Sequence, residues 1–488
     1  MDGNTLGVVG AGPMGAGIAQ IGLTAGMDVI LYDVSAEAGH RAAAAIGSRI
    51  ARLAEKGRIT REAAEAATAR LTIAEALDAL APCDVVVEAI VERLDVKQAL
   101  FGQLEALLAP DAVLATNTSS LSVAAIAAHC HRKERVCGLH FFNPVPVMQL
   151  VEIVVAPGTA PATATRMEDL ARRLGKTPVT VQDAPGFLVN LQGRAFVLEA
   201  LAIVQEQVAD PATVDRILRD AAGFRMGPFE LMDLTGIDVN YPASTYIYEG
   251  YLHDPRLKTT TRHQAMFAAG LFGRKTGQGF FEYGPDVQPL SHPAAPRVGV
   301  TIRPRIVEGE GWEPITAHPG FEGGNDVSLI APIGEDAATA CARLGLDPRT
   351  TVAIDLTAAD GRHLTVMHAV GGGDAAAGVA HWLRGMGFTV EEIGDSPGFV
   401  LQRILAMVAN LGCELAQIGI ATPQDIDLAM RLAQNYPRGP IEWAEWLGLP
   451  KTLAIMEQLQ RITGSDRYRP SLWLRRRAQL GLSAYTPA

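Results

Sequence analysis

The chain is poor in cysteine and has no pair spaced for a metal or redox site. Cys83, Cys130, Cys137, Cys341 and Cys413 are odd in number and form no CxxC. Reduced, buried thiols of a cytoplasmic protein are the expectation, with no metal. Long apolar runs are missing too. None reaches the length that spans a bilayer, so no membrane partner is expected. No basic segment or cleavage signature precedes the first strand-like run at Thr5–Val9, so no leader is expected. Positive charge is in deficit, 42 Lys and Arg against 53 Asp and Glu, net −11. That excludes a broad nucleic-acid-binding face but leaves room for a local basic pocket facing a phosphorylated small molecule. What is present, 48% hydrophobic and 19% charged residues over 488 positions, reads as a folded chain of three or four structural units.

From residue 5 to about 182, short β-branched runs alternate with Ala-rich helical stretches. Leu6–Val9, Val29–Asp33, Asp84–Ala89, Ala112–Thr116, Val136–Phe142 and Leu150–Val155 are such runs. The alternation predicts a parallel sheet covered by helices over 1–182. Helical patterns alone follow over 183–285, and a Pro/Gly-rich stretch at 286–324 reads as a linker. Beyond it the chain repeats. Asp183-Ala-Pro-Gly-Phe-Leu-Val-Asn190 returns as Asp395-Ser-Pro-Gly-Phe-Val-Leu-Gln402, and Gly227-Pro-Phe-Glu230 returns as Gly439-Pro-Ile-Glu442 at the same offset. The all-α domain is therefore expected twice, the second copy at 395–488. Ahead of it, Val327–Ile330, a helical stretch and Val352–Asp355 imitate the first βαβ unit, with Ala331, Ile333 and Asp336 where that unit has Gly10, Gly12 and Gly15. Segment 325–394 is thus expected to be a truncated Rossmann-like remnant unable to hold a dinucleotide.

Gly10-Ala11-Gly12-Pro13-Met14-Gly15 follows a strand and opens a helix, and the next strand ends in Asp33. The first glycine turns the chain, the second admits a pyrophosphate against the backbone, and the third packs helix on strand. The helix N-terminus supplies N–H donors and partial positive charge. Asp33 follows Gly15 by 18 residues, close to the ~20 expected for the acid that holds the ribose of NAD. Its charge disfavours a 2′-phosphate, so NAD is expected over NADP.

His140 lies near the end of the run 136–142, and Asn143-Pro-Val-Pro146 breaks it. If the chain folds back there, His140 and Glu152 face one another. A neutral imidazole can take the proton of a secondary alcohol while its hydride leaves for nicotinamide. A carboxylate behind it fixes the tautomer and stabilises the imidazolium.

With those residues in view, Asn117-Thr-Ser-Ser120, His140-Phe-Phe-Asn-Pro-Val-Pro-Val147, Leu150-Val-Glu152, Pro185-Gly-Phe-Leu-Val-Asn190, Gly227-Pro-Phe-Glu-Leu231 and Gly273-Arg-Lys-Thr-Gly-Gln-Gly279 resemble the L-3-hydroxyacyl-CoA dehydrogenase family. The resemblance covers 5–285 and 395–488. It implies His140 as base, Glu152 as its orienting acid, and Ser119 and Asn190 as hydrogen-bonding partners of the substrate's hydroxyl or thioester end. It further implies that Glu92, Lys97, Ser119, Asn143 and Lys275 line the cofactor site, and that Ser48 and Lys56 contact coenzyme A. Read without the family, Ser119 is equally a helix N-cap, Asn190 a buried amide, and Lys275 and Lys56 surface charges. Glu92 and Lys97, five apart, would face different sides of a helix.

Relatives continue after the asparagine with Arg and later Arg-Pro-aromatic. Here the run is Asn190-Leu-Gln-Gly-Arg194-Ala-Phe196, so Leu191 and Ala195 depart and the acyl preference is open. Tandem chains of this length resemble the branch acting on 3-hydroxyadipyl-CoA or 3-hydroxybutyryl-CoA. Gln402 replaces Asn190, His368 has no carboxylate answering Glu152, and one active site per chain is expected. The second helical copy leaves open both a homo-oligomer and a monomer with an internal pseudo-dimer. A free hydroxy-acid dehydrogenase using a helix lysine is disfavoured, since 187–207 holds no lysine. A gulonate-type relative and a non-catalytic NAD-binding protein remain as alternatives.

Overall fold

The computed structural model describes residues 5–284 and 302–487. They form two compact units, one of 5–189 joined by Gly419–Asp425, the other of the remaining residues from Asn190 onward.

The first unit is built on eight strands: β1 (Thr5–Val9), β2 (Asp28–Tyr32), β3 (Leu71–Ala74), β4 (Val85–Glu88), β5 (Val113–Thr116), β6 (Val136–Phe141), β7 (Leu150–Val155) and β8 (Thr177–Gln182). Their order is β3-β2-β1-β4-β5-β6-β7-β8. Every pairing is parallel except β6 with β7. The order reverses between β1 and β4, the crevice where open α/β sheets bind ligands. Apolar faces of the helices Pro13–Thr24, Ala36–Glu55 and Pro161–Arg173 close over β1, β2, β6 and β7 in one continuous core. The unit extends past the expected boundary at 182. Asp183 accepts from Ser122 Oγ and the amides of Val123 and Ala124, and Leu188 and Val189 donate to Glu152. These bonds tie the 183–189 turn to the first sheet.

The second unit carries five helices from Val189–Gln205 to Thr261–Ala268, and a later five from Leu401–Gln417 to Leu472–Leu480. Between them lies a five-stranded sheet of β9 (Pro304–Glu308), β10 (Val327–Ile330), β11 (Thr351–Asp355), β12 (His363–His368) and β13 (Thr389–Ile393), in the order β13-β12-β11-β10-β9. Two expectations need correction. The stretch 286–324 is not all linker: residues 304–308 form a strand parallel to β10, and Glu313–Thr316 is a short helix. Proline opens β9, and β9 is an edge strand, where a missing N–H is tolerated. Residues 286–301 of that expected linker lie outside those described.

The second correction concerns what the segment imitates. Only β11 and β12 are antiparallel in this sheet. Order and directions therefore reproduce β4 to β8, not β1 and β2. The caps agree: Asp395 accepts from Ala337 and Ala338 as Asp183 does from Val123 and Ala124. Ala331, Ile333 and Asp336 thus stand opposite the loop after β5. Glycine substitution does not explain the expected lack of a dinucleotide site; no glycine-loop half accompanies this sheet among the described residues.

The two helical runs meet within this unit. Arg403, fully buried, pairs with Glu199 at 2.5 Å and with Glu206 at 2.7 Å; Arg467 takes the other oxygen of Glu199 at 2.7 Å. Phe196 and Trp443 stack on Phe224, and Tyr436 meets Phe224 edge-on. Burial works to raise the Glu199 carboxyl, but the two guanidinium groups overcome it and bring it down to about 2. Stability from this group is present above the ordinary carboxylate value of 4.5 and is lost as pH falls toward about 2. Glu199→Gln should cost ~3–5 kcal/mol at neutral pH by leaving guanidinium charge buried and unpaired. In denaturant titrations the gap from the parent should shrink as the pH approaches 3 (roughly midway through that window); a pH-independent gap would refute the assignment.

Candidate active site

The glycine loop leaves β1 at Val9, and the three glycines differ in what requires them. Gly10 has φ +106°, and an added Cβ would lie 2.5 Å from the carbonyl oxygen of Ala89. At Gly15 it would lie 1.8 Å from the oxygen of Gly10. Gly12 has an ordinary φ of −67°, and its Cβ would meet no protein atom within 4 Å. Among the described residues nothing crowds position 12, and open backbone there is what a pyrophosphate would need. Gly12 is also the N-cap of Pro13–Thr24 and brings no side chain to its amides. Pro13 occupies the first turn, where its missing N–H is harmless, followed by Met14. Asp33, after β2, accepts from the amide of Ala11 at 2.7 Å and of Ser35 at 2.9 Å, which ties the acid to the loop. The residues present therefore fit a dinucleotide.

Across the crevice, a buried charge network orders the loop after β5. Lys97, 1% exposed, lies 2.5 Å from Glu88 and 3.1 Å from Glu92. Glu88 also accepts from Thr116 Oγ1 at 2.6 Å. Glu92 collects Thr118 Oγ1 at 2.5 Å, the amides of Ser119 and Ser120, and Ser120 Oγ. Burial works to raise the Glu92 carboxyl, yet bonds from Thr118, Lys97 and Ser120 hold it below the usual range. The helix-face argument against a Glu92–Lys97 contact fails because the helix starts at Leu94, leaving Glu92 in the loop before it. Ser119 is not the N-cap of the following helix; Ser122 is, accepting from Ala125.

β6 and β7 fold back in the register expected from the proline turn, with His140 opposite Glu152. His140 Nδ1 and Glu152 Oε2 are 2.6 Å apart, and both side chains are buried. Glu152 Oε1 accepts from the amides of Leu188 at 3.1 Å and Val189 at 2.9 Å, so the carboxylate cannot turn away. Phe142 and Phe187 flank the imidazole with ring centroids 4.5 and 5.7 Å away. The side chain of Asn117 accepts from the amide of Phe141 and pins the strand beside His140. The sequence reading quoted that asparagine only within a motif.

Asn143 is exposed in the β6–β7 turn. It borders a cavity of about 420 Å³ with Pro144, Arg49, Arg52, Lys56 and Arg58. Four cations converge there, of which sequence reading named only Lys56. The spacing of Arg49, Arg52 and Lys56 along one helix face was the signal. Ser48 is on the same helix but does not line the cavity. Asn190 and Lys275 belong to the second unit. Asn190 is in the first turn of Val189–Gln205, and Lys275 pairs with Asp238 at 2.8 Å. Among the described residues no helix is long and apolar enough to cross a membrane, and no cluster of His, Cys, Asp and Glu could hold a metal.

A glycine loop at the sheet's reversal point, with a carboxylate-backed histidine on the same sheet, defines the class of nicotinamide-dependent dehydrogenases. Residues 5–184 match the family model of the 3-hydroxyacyl-CoA dehydrogenase NAD-binding domain, and 186–283 with 398–485 match that of its C-terminal domain. The chain is 40% identical over 477 residues to a 3-hydroxyadipyl-CoA dehydrogenase of Escherichia coli (strain K12), covering 98% of each. It is 39% identical over 277 residues, 57% of this chain and 99% of the relative, to a probable 3-hydroxybutyryl-CoA dehydrogenase of Deinococcus radiodurans. A solved 3-hydroxybutyryl-CoA dehydrogenase from Escherichia coli K12 superposes with a TM-score of 0.89 at 39% identity, covering 98% of this chain and 99% of that one. The chain belongs to the 3-hydroxyacyl-CoA dehydrogenase family, NAD-dependent oxidoreductases.

Gly15→Ala should lower stability by ~1–3 kcal/mol because backbone must move. Gly12→Ala should melt with the parent. Thermal unfolding of both variants checks this; equal losses would show that protein packing, not a ligand, demands Gly12.

Proposed function

We propose that the chain oxidises (3S)-3-hydroxyacyl-CoA to 3-oxoacyl-CoA, with 3-hydroxyadipyl-CoA and 3-hydroxybutyryl-CoA as the candidate substrates, since its full-length relatives carry one name or the other. The observation that carries the reading is the buried His140–Glu152 pair at 2.6 Å. With Nδ1–H donated to Glu152, Nε2 keeps its lone pair and takes the 3-hydroxyl proton. Glu152 stabilises the imidazolium and, fixed by two amides, holds the ring in place. Bound NAD supplies the hydride acceptor. Gly10 to Gly15 would cradle its pyrophosphate and Asp33 its ribose, while Glu92, set by Lys97, shapes the nicotinamide side together with Ser119. Lys97 is enclosed by two carboxylates, so it acts through Glu92. Asn143 and Lys275 are assigned to the cofactor by family likeness, as are Ser119 and Asn190 to the reacting end of the substrate. The phosphates of coenzyme A would meet Arg49, Arg52, Lys56 and Arg58, with Ser48 above them on the helix.

The second sheet and the helices of 395–488 we read as a second copy stripped of its glycine-loop half. Gln402, at the place of Asn190, accepts from Gly334 and donates to Asp355, which fills the corresponding space. Among the described residues the His368 ring hydrogen-bonds the carbonyl of Ala369, with Asp395 near enough to feel its charge. One active site per chain follows, and the buried Glu199–Arg403–Arg467 contact supports an internal pseudo-dimer over a homo-oligomer. Five free, buried cysteines agree with a reducing compartment such as the cytoplasm.

Glu152→Gln should lower kcat with acetoacetyl-CoA and NADH by ~10²-fold or more, with NADH affinity kept. Undiminished turnover would remove the pair from the mechanism. Arg52→Glu should raise KM for the thioester more than it lowers kcat, and its failure to do so would move the phosphate site elsewhere.

A further inference from the structure

Arg194 is 7% exposed, yet among the described residues no carboxylate forms an ion pair with it. Four other buried arginines of this unit are paired with carboxylates: Arg216 holds Glu391, Arg256 holds Asp254 and Glu414, and Arg403 and Arg467 share Glu199. Arg477 instead closes on the carbonyls of Trp473 and Thr486 and on the Trp473 ring. Arg194 has only neutral acceptors, the carbonyl of Asn190 at 3.0 Å, Ser244 Oγ at 2.8 Å and the carbonyl of Asn240 at 3.5 Å. An uncompensated guanidinium in a dry site is expensive, and burial brings its pKa down to about 10.

Beside it, Tyr436 Oη and Nε2 of His263 are buried without a partner among the described residues, and His263 Nδ1 contacts Thr259 Oγ1 at 2.8 Å. Burial, then the charge of Arg194, lowers His263 to about 4, so it is neutral and contributes no second charge. A tyrosine hydroxyl, an imidazole nitrogen and a guanidinium together lack an acceptor-only group, which a carboxylate is.

Arg194 sits one helical turn beyond Asn190, and this inference rests on the reading above that places Asn190 at the reacting end of the substrate. Four helical residues rise ~6 Å. In an adipyl chain three single bonds of ~1.5 Å separate the 3-carbon from the terminal carboxylate, a span of about 4 Å. A butyryl chain ends one carbon past the 3-position and offers no charge. We infer that Arg194 is the counter-ion for the terminal carboxylate of a dicarboxylic acyl-CoA and selects it over monocarboxylic chains. The departures at Leu191 and Ala195 surround this residue and leave it in place.

The test measures kcat/KM for 3-oxoadipyl-CoA and for 3-oxohexanoyl-CoA, which has the same length without the carboxylate, following NADH consumption by the full-length protein. The parent should prefer the dicarboxylic substrate, and Arg194→Met should reduce that preference roughly 30-fold or more, mainly through KM. Arg194→Lys should recover part of it. A parent that does not discriminate overturns the proposal even if the variant fails to fold. Equal losses on both substrates in Arg194→Met also overturn it, because a purely structural arginine would do that. If the parent turns over neither thioester while binding NADH, the proposed function itself fails.

Discussion

Glu152 has two oxygens and both are committed. One holds the imidazole of His140, and the other holds the chain as it leaves the sheet at Leu188 and Val189. A single buried carboxylate therefore holds the His140 ring and anchors the turn leading into the helix that carries Asn190 and Arg194. Such a group is tolerable in a dry interior only because every strong partner is present. Chemistry and chain path are coupled through it.

The same economy appears across the crevice. Lys97, 1% exposed, joins Thr118 in holding the Glu92 carboxyl below the usual range, and Glu92 in turn gathers the loop of Ser119 and Ser120. Electrostatic preorganisation of this kind fixes a binding surface before a ligand arrives. The five-stranded sheet reproduces the strand order and directions of β4 to β8. Beside it Gln402 is bonded to Gly334 and Asp355. Buried ionic and aromatic contacts join the two helical runs.

Much of this was legible in residue order. The glycine loop, Asp33 and the His140–Glu152 register all follow from local rules, a strand running into a helix and a proline turn that forces antiparallel pairing. Other features depend on long-range neighbours. Glu88 looks like any strand-end acid until Lys97 and Thr116 reach it. Arg49 and Arg52 look like a solvated helix face, and Arg58 like a loop charge just past its end, until the turn at Asn143 borders the same cavity. The strand at Pro304 hides in a proline-rich stretch because an edge position excuses the missing donor. The second sheet was assigned to the wrong half of the first because a βαβ pattern recurs within any such domain. Only strand order and the Asp183 and Asp395 caps tell its units apart.

The central claim is that an imidazole protonated at Nδ1 by its bond to Glu152 offers a bare Nε2 to the substrate. Nitrogen-15 spectra of histidine-labelled full-length protein test it directly. The account predicts a His140 signal with Nδ1 protonated, Nε2 unprotonated and a strongly downfield Nδ1 proton that disappears in Glu152→Gln. A neutral ring protonated at Nε2 in the parent would contradict it.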